Sequence, residues 1–140
     1  MRLSKYFTYN EMTDSDYAKR HKLDNTPNSI ELDRLKQTAQ SMDNVRILLN
    51  VPVIVKSGFR SLLVNRGVGS SDNSQHRRGE AVDFVTHKLT PRQIVEMIIE
   101  SNIQYDQLIL EYDAWVHISF SARNRRQVLI IDSKGTRSFK

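Results

Sequence analysis

Cysteine is absent from all 140 residues. That excludes disulfides and thiolate metal sites, so any metal must be held by His, Asp, Glu or water. Long apolar runs are also missing. None reaches the roughly 20 residues needed to cross a bilayer, and no membrane insertion is expected. There is no G-x-S-x-G elbow for a serine nucleophile, no internal repeat and no low-complexity tract. The opening MRLSKYFTYNEMTDSD turns polar and acidic too early for a secretory signal. The chain is therefore expected to be made in the cytoplasm, and any work outside it needs delivery by something else.

What is present fits a folded protein. A hydrophobic fraction of 39% beside a charged fraction of 26% argues against disorder. The length suits one domain over residues 1–140, with residues 1–28 read as an irregular or short-helical arm packed on it. A formal charge of +5 favours anionic partners: nucleic acid, anionic membrane or bacterial cell wall. Charge alone does not choose among them. The cations are scattered rather than interleaved with aromatics on one face, which disfavours nucleic acid.

Local patterns give a coarse set of elements. TDSDYAKRH starts a helix at Thr13 or Asp14, and DNTPN reads as a turn stopped by Pro27. From Ser29, the positions Ile30, Leu32, Leu35, Ala39, Met42, Val45, Leu48 and Leu49 follow helical spacing, with Asn28 or Ser29 as cap. VPVIVKSGF reads as a strand, followed by a Gly/Ser/Asn loop over 65–74 and a second strand in EAVDFVT. Thr90-Pro91 opens a helix through IVEMIIES. QLILEY and WVHISFS are two strands tightly connected at Asp113-Ala114, and RQVLIIDS is a last strand ending at Lys134-Gly135. The expected class is α+β, a small mainly antiparallel sheet with flanking helices.

Four segments carry the chemistry: SGFRS (57–61), SQHRRGEAVD (74–83), LILEY (108–112) and WVHIS (115–119). Side chains alternate faces along a strand. His117 then shares a face with Trp115 and Ser119, and Asp83 with Ala81 and Val85. If these two strands pair, Asp83 and His117 meet, and the preceding turn brings His76 to them. Two imidazoles and a carboxylate make a three-ligand zinc site with an open fourth position. Each residue also has a plainer reading: Asp83 capping a turn or pairing with an Arg, and His117 as a satisfied core histidine.

SGFRS, the Gly/Ser loop, S-x-H-x-x-G-x-A-x-D and W-V-H-I-S together resemble the zinc D-Ala-D-Ala carboxypeptidase family of metallopeptidases, with the hedgehog/DD-peptidase fold. The wider group includes lysostaphin-type peptidases and the hedgehog signalling domain. The likeness runs from about Phe7 to Val128, taking in F-x-x-x-E-M, NTP, VRILL and DQLILE. It implies one Zn2+ per chain held by His76, Asp83 and His117. Ser74, Arg60 and Trp115 then fall on the substrate side, and Arg60 also serves catalysis. The resemblance implies Glu111 as general base, with Asp113 the alternative, because the position three before the last His is Ala114. Gly79 makes the turn between the first two ligands. Arg77, Arg78 and RNRR (123–126) either line the groove or stay solvated, and His21 and His87 lie on the surface.

The implied substrates are peptidoglycan stem peptides, cut between D-Ala residues or between L-Ala and D-Glu. The expected setting is an endolysin-like enzyme in phage lysis, reaching the wall after holin- or virion-mediated delivery, and acting as a monomer. A bacterial wall-remodelling peptidase and a non-catalytic zinc domain that binds wall or protein are the other readings.

Overall fold

The computed structural model describes residues 1–139. Among these, six strands form one sheet: β1 (Ile54–Ser57), β2 (Ala81–Val85), β3 (Gln107–Glu111), β4 (Trp115–Ser119), β5 (Gln127–Asp132) and β6 (Gly135–Ser138). Their order is β1-β2-β4-β3-β5-β6. β3 and β5 run parallel, and the other neighbours run antiparallel. The α+β class and the mainly antiparallel sheet are as expected. Strand β6 is additional: the chain does not stop at Lys134-Gly135 but turns there and pairs back on β5.

The long helix α3 (Ser29–Leu49) begins where its cap permits. The Asn28 side chain accepts from the Glu31 amide and the Glu31 carboxylate accepts from the Asn28 amide, so two orphan donors are satisfied reciprocally. Its buried face is Leu35, Thr38, Ala39, Met42, Val45 and Leu49. Ile30 is exposed instead, because at helical spacing it lies more than a quarter turn from the centre of that face. Helix α5 (Pro91–Ile99) starts with Pro91 in the first turn and the Thr90–Gln93 capping box behind it.

Both helices cover one face of the sheet. Val82, Phe84, Leu108, Leu110, Val116 and Ile118 alternate onto that face and bury against Leu35, Met42, Ile94 and Ile98. Each fully buried side chain of this size contributes about 1.5–3 kcal/mol. The other face carries a row of directly aligned residues, Ser57, Asp83, His117 and Ile109, on β1, β2, β4 and β3. Among the described residues, neither long helix covers this row. The segment between β1 and β2 folds back over it.

The arm differs in detail from the expectation. A helix ends at Thr13 rather than starting there: α1 (Tyr9–Thr13) is closed by a Thr8–Glu11 capping box. A separate α2 (Asp16–His21) starts on Ser15, whose hydroxyl accepts from the Ala18 amide. Leu3, Phe7 and Met12 join the main core. The Asp43 carboxylate of α3 accepts from Ser4 Oγ and from the Lys5 and Tyr6 amides. Another short helix, α4 (Leu62–Gly67), takes up the start of the stretch expected to be loop.

The RNRR run is neither a groove lining nor a merely solvated patch. Arg125 grips the fully buried Asp106 carboxylate with Nε and Nη2, both at 2.8 Å. Arg123 reaches the same group at 3.4 Å. Arg126 donates to the Ser101 and Ile103 carbonyls and lies over the Tyr105 ring. The Arg125 hydrogen bonds hold the Asp106 carboxyl below the usual carboxylate range against the opposing effect of burial. These arginines fasten the entry to β3 onto the entry to β5.

Candidate metal centre

Three side chains from separate elements converge on the face that the helices leave open. Asp83 and His117 sit opposite each other on β2 and β4, and His76 comes in on the turn before β2. That turn is closely specified. Gly79 has φ +79°, and a Cβ there would lie 2.8 Å from the Glu31 carbonyl of α3, so a side chain is excluded by both conformation and space. Thr38 Oγ1 donates to the Gly79 carbonyl at 2.6 Å. The Gln75 amide donates to Asp106 at 2.9 Å, tying the turn to the arginine cluster.

His76 Nδ1 lies 2.8 Å from the Gly58 carbonyl. A carbonyl only accepts, so Nδ1 carries the proton and Nε2 keeps its lone pair. That Nε2 is buried and without a hydrogen-bond partner. Asp83 Oδ1 is 3.2 Å from it and 2.9 Å from His117 Nδ1. One potential donor atom from each residue falls within 4.8 Å of the others. Donors at zinc bond lengths around a tetrahedral centre are about 3.3 Å apart. The spacing, the composition and the partnerless nitrogen all fit zinc.

The protonation states also fit. Burial pushes the His76 imidazole down, towards its neutral form. Burial would raise the Asp83 carboxyl, but the two neighbouring imidazoles, with the hydrogen bond from His117 among their effects, outweigh it, and the group stays well below the usual range. Neutral imidazole and ionised carboxylate are the forms that bind a metal.

The remaining predicted residues separate. Glu111, at the end of β3, places Oε1 3.9 Å from His117 Nδ1. Burial, and next the Asp83 charge, raise its carboxyl above the ordinary value. Asp113 turns outward: it is exposed and meets Arg92 of α5 at 3.5 Å. Tyr112 and Asp113 both hold positive φ in the β3–β4 turn, at 56° and 51°. That turn aims residue 111 inward and residue 113 away.

Arg60 is held more tightly than a free substrate clamp. Its guanidinium donates to Ser57 Oγ, Ser70 Oγ and Asn65 Oδ1, and Nη2 is 3.5 Å from Asp83 Oδ2. Arg60, Ser74, Trp115, Tyr112 and Val68 line a cleft of about 440 Å³ together with the three clustered residues and Glu111. The Ser74 hydroxyl also accepts from the His76 amide. Arg77 and Arg78 are half-buried and outside that lining, and His21 and His87 are exposed.

Several supporting groups were not legible from residue type. The Gly58 acceptor is a backbone atom, Asn65 and Ser70 fall in a stretch with only loop character, and Gln75 has the look of a spacer. Tyr112, 54% exposed with its ring tilted against Trp115 at 5.7 Å, also enters the cleft.

No curated protein matches the chain. The family model described as Peptidase M15 matches residues 5–119, from the arm through β4, and so takes in His76, Asp83, Glu111 and His117. The chain therefore belongs to the Peptidase M15 family, whose members are zinc-dependent metallopeptidases.

Proposed function

We propose that this chain is a zinc peptidase that hydrolyses peptide bonds in bacterial peptidoglycan stem peptides, with His76, Asp83 and His117 holding one zinc ion and Glu111 as general base. The observation that carries the reading is Glu111 itself. A carboxylate raised by burial faces the cleft 3.9 Å from His117, beside the metal-binding cluster. Without chemical work to do, a half-buried acid there is a cost.

When bound, zinc supplies a Lewis acid for the scissile carbonyl and lowers the pKa of the attacking water. Glu111 takes a proton from that water and hands it to the leaving amine, a task suited to a carboxyl tuned upward. His76, with Nδ1 committed to Gly58, offers only Nε2 to the metal. Arg60 steadies Asp83 and brings positive charge to the cleft wall, where it favours a substrate carboxylate or the developing oxyanion. Ser74, which lines the same cleft, supplies a polar contact for the peptide backbone, and the Trp115 ring forms part of the cleft wall. The inward aim of Glu111 supports a catalytic role over a purely metal-binding one.

The net charge of +5 suits an anionic wall. Wall lysis by a monomeric, endolysin-like enzyme during phage release is the setting we assign. The candidate bonds are D-Ala-D-Ala and L-Ala-D-Glu, and mass analysis of purified muropeptides before and after digestion selects between them. Metal analysis accompanies it. The expected result is one zinc per chain, a defined mass loss, abolition by a chelator and recovery with zinc. Cleavage by metal-free protein would overturn the reading.

A further inference from the structure

The segment SGFRS does more than present Arg60. The Gly58 carbonyl and the Phe59 amide belong to one peptide unit, which is planar and trans, so the two groups point in opposite directions. The carbonyl edge accepts from His76 Nδ1 at 2.8 Å. The amide edge donates to the Met12 carbonyl of α1 at 2.8 Å. A single rigid plate therefore connects the N-terminal arm to the imidazole that offers Nε2 to the metal. Tilting the plate at one edge turns the acceptor at the other. Hydrogen bonds chained in this way also polarise one another.

The next peptide units along the chain are held to the arm as well. Asn25 Oδ1 accepts from the Ser61 amide at 2.7 Å, and its Nδ2 donates to the Phe59 carbonyl at 3.1 Å and to the Thr13 carbonyl at 2.8 Å. One side chain thus joins the end of α1 to the residues on either side of Arg60. The approach is close: a Cβ on Gly58 would overlap the Met12 carbonyl, and one on Gly67 of α4 would overlap the Tyr17 ring of α2. Backbone polar groups in such a contact must be paired, and Asn25 and Met12 pair them.

We propose that residues 12–25 of the arm are a positioning element of the metal centre, with Asn25 as the positioning residue, holding the Phe59 carbonyl and so, through the adjoining Gly58–Phe59 peptide plane, His76. This rests on the zinc reading above, and it adds that zinc affinity depends on a side chain that never touches the metal. Groups that orient a ligating histidine typically change metal affinity 10–100-fold when removed. Asn25 acts one step further out, so Asn25→Ala is expected to weaken zinc about 10-fold.

The experiment measures the zinc Kd of the full chain by competition with a chromophoric chelator, alongside the visible spectrum of the cobalt(II)-loaded protein and thermal melting without metal. Asp43→Ala is the control. It frees residues 4–6 of the arm from α3, and it is expected to lower the melting temperature while leaving Kd and the cobalt spectrum unchanged. Asn25→Ala is expected to weaken zinc and shift the cobalt bands. If Asn25→Ala does not fold, Asn25→Asp keeps the acceptor for Ser61, replaces both amide donations by a carboxylate oxygen set against the Thr13 and Phe59 carbonyls, and is expected to weaken zinc in the same direction. A wild-type Kd in the folded Asn25 variant overturns the proposal. Equal weakening in the Asp43 variant also overturns it, because loosening anywhere in the arm would then suffice. Wild-type protein that binds no zinc fails earlier, at the metal reading itself, and takes this inference with it.

Discussion

The two faces of strands β2 and β4 do different work with alternate residues. Val82, Phe84, Val116 and Ile118 face α3 and α5 and are completely buried among apolar neighbours. Asp83 and His117, one position away on the same strands, face the folded-back segment and are also buried, at 7% and 9% exposure. Burial is therefore not what separates core from site. The difference lies in the cover. Packed helices offer aliphatic surface, whereas the segment of residues 58–80 and the arm offer carbonyls, amides and an arginine, which satisfy buried polar groups.

That contrast is open to attack from both sides. The largest expected effect is on the polar face: Glu111→Gln should lower peptidase turnover about 10²–10⁴-fold while zinc content and melting temperature stay at wild-type values. Asp113→Asn, two residues on, should leave turnover near wild type, since its carboxylate faces Arg92 and solvent. Kinetics on a muropeptide substrate with parallel metal analysis checks both. The reverse pattern would move the base to Asp113.

On the apolar face, Phe84→Ala should cost about 3–5 kcal/mol of stability, from lost transfer energy and the cavity left behind. Denaturant unfolding reads it. Folded molecules of this variant should still bind one zinc, because Phe84 points away from Asp83 on its own strand. Loss of zinc from a folded Phe84 variant would mean that the two faces are coupled.

The smallest effect belongs to Asp106, at the end of the sheet. Its carboxyl is held low by Arg125, so the sign follows from linkage. A depressed folded pKa adds stability that is present above the ordinary carboxylate pKa of about 3.9. That stability is lost as pH falls towards the lower folded value. Urea unfolding of wild type should therefore weaken steadily below about pH 4. Asp106→Asn, less stable at neutral pH, should show a flatter acid limb.

Much of the site was legible from local pattern. The alternation in AVDF and WVHIS put Asp83 and His117 on definable faces, and Gly79 marked the turn between ligands. The capping residues Asn28 and Thr90 were readable because a cap acts on an amide three residues away. The misreadings share a cause. RNRR looked free because its partners, Asp106, Ser101 and Ile103, are far away in sequence. The strand β6 was missed because GTRS is short and wholly exposed, so no apolar alternation marks it. In the arm, Thr13 is both a plausible helix start and the actual end of α1, and only the Ser15 cap decides between them.

By itself the sequence determined which residue types were available for chemistry. With no cysteine, a metal had to find His and carboxylate ligands, and period-two strands had to present Asp83 and His117 on the face opposite Phe84 and Ile118. The tertiary structure alone decided that β2 and β4 pair with Asp83 against His117, since a one-residue slip would have put one of them into the core. It also decided that Glu111 rather than Asp113 faces the cleft, and that the Met12 carbonyl meets the peptide holding His76. Those outcomes depend on register, turn conformation and backbone atoms common to every residue, which side-chain identity does not encode.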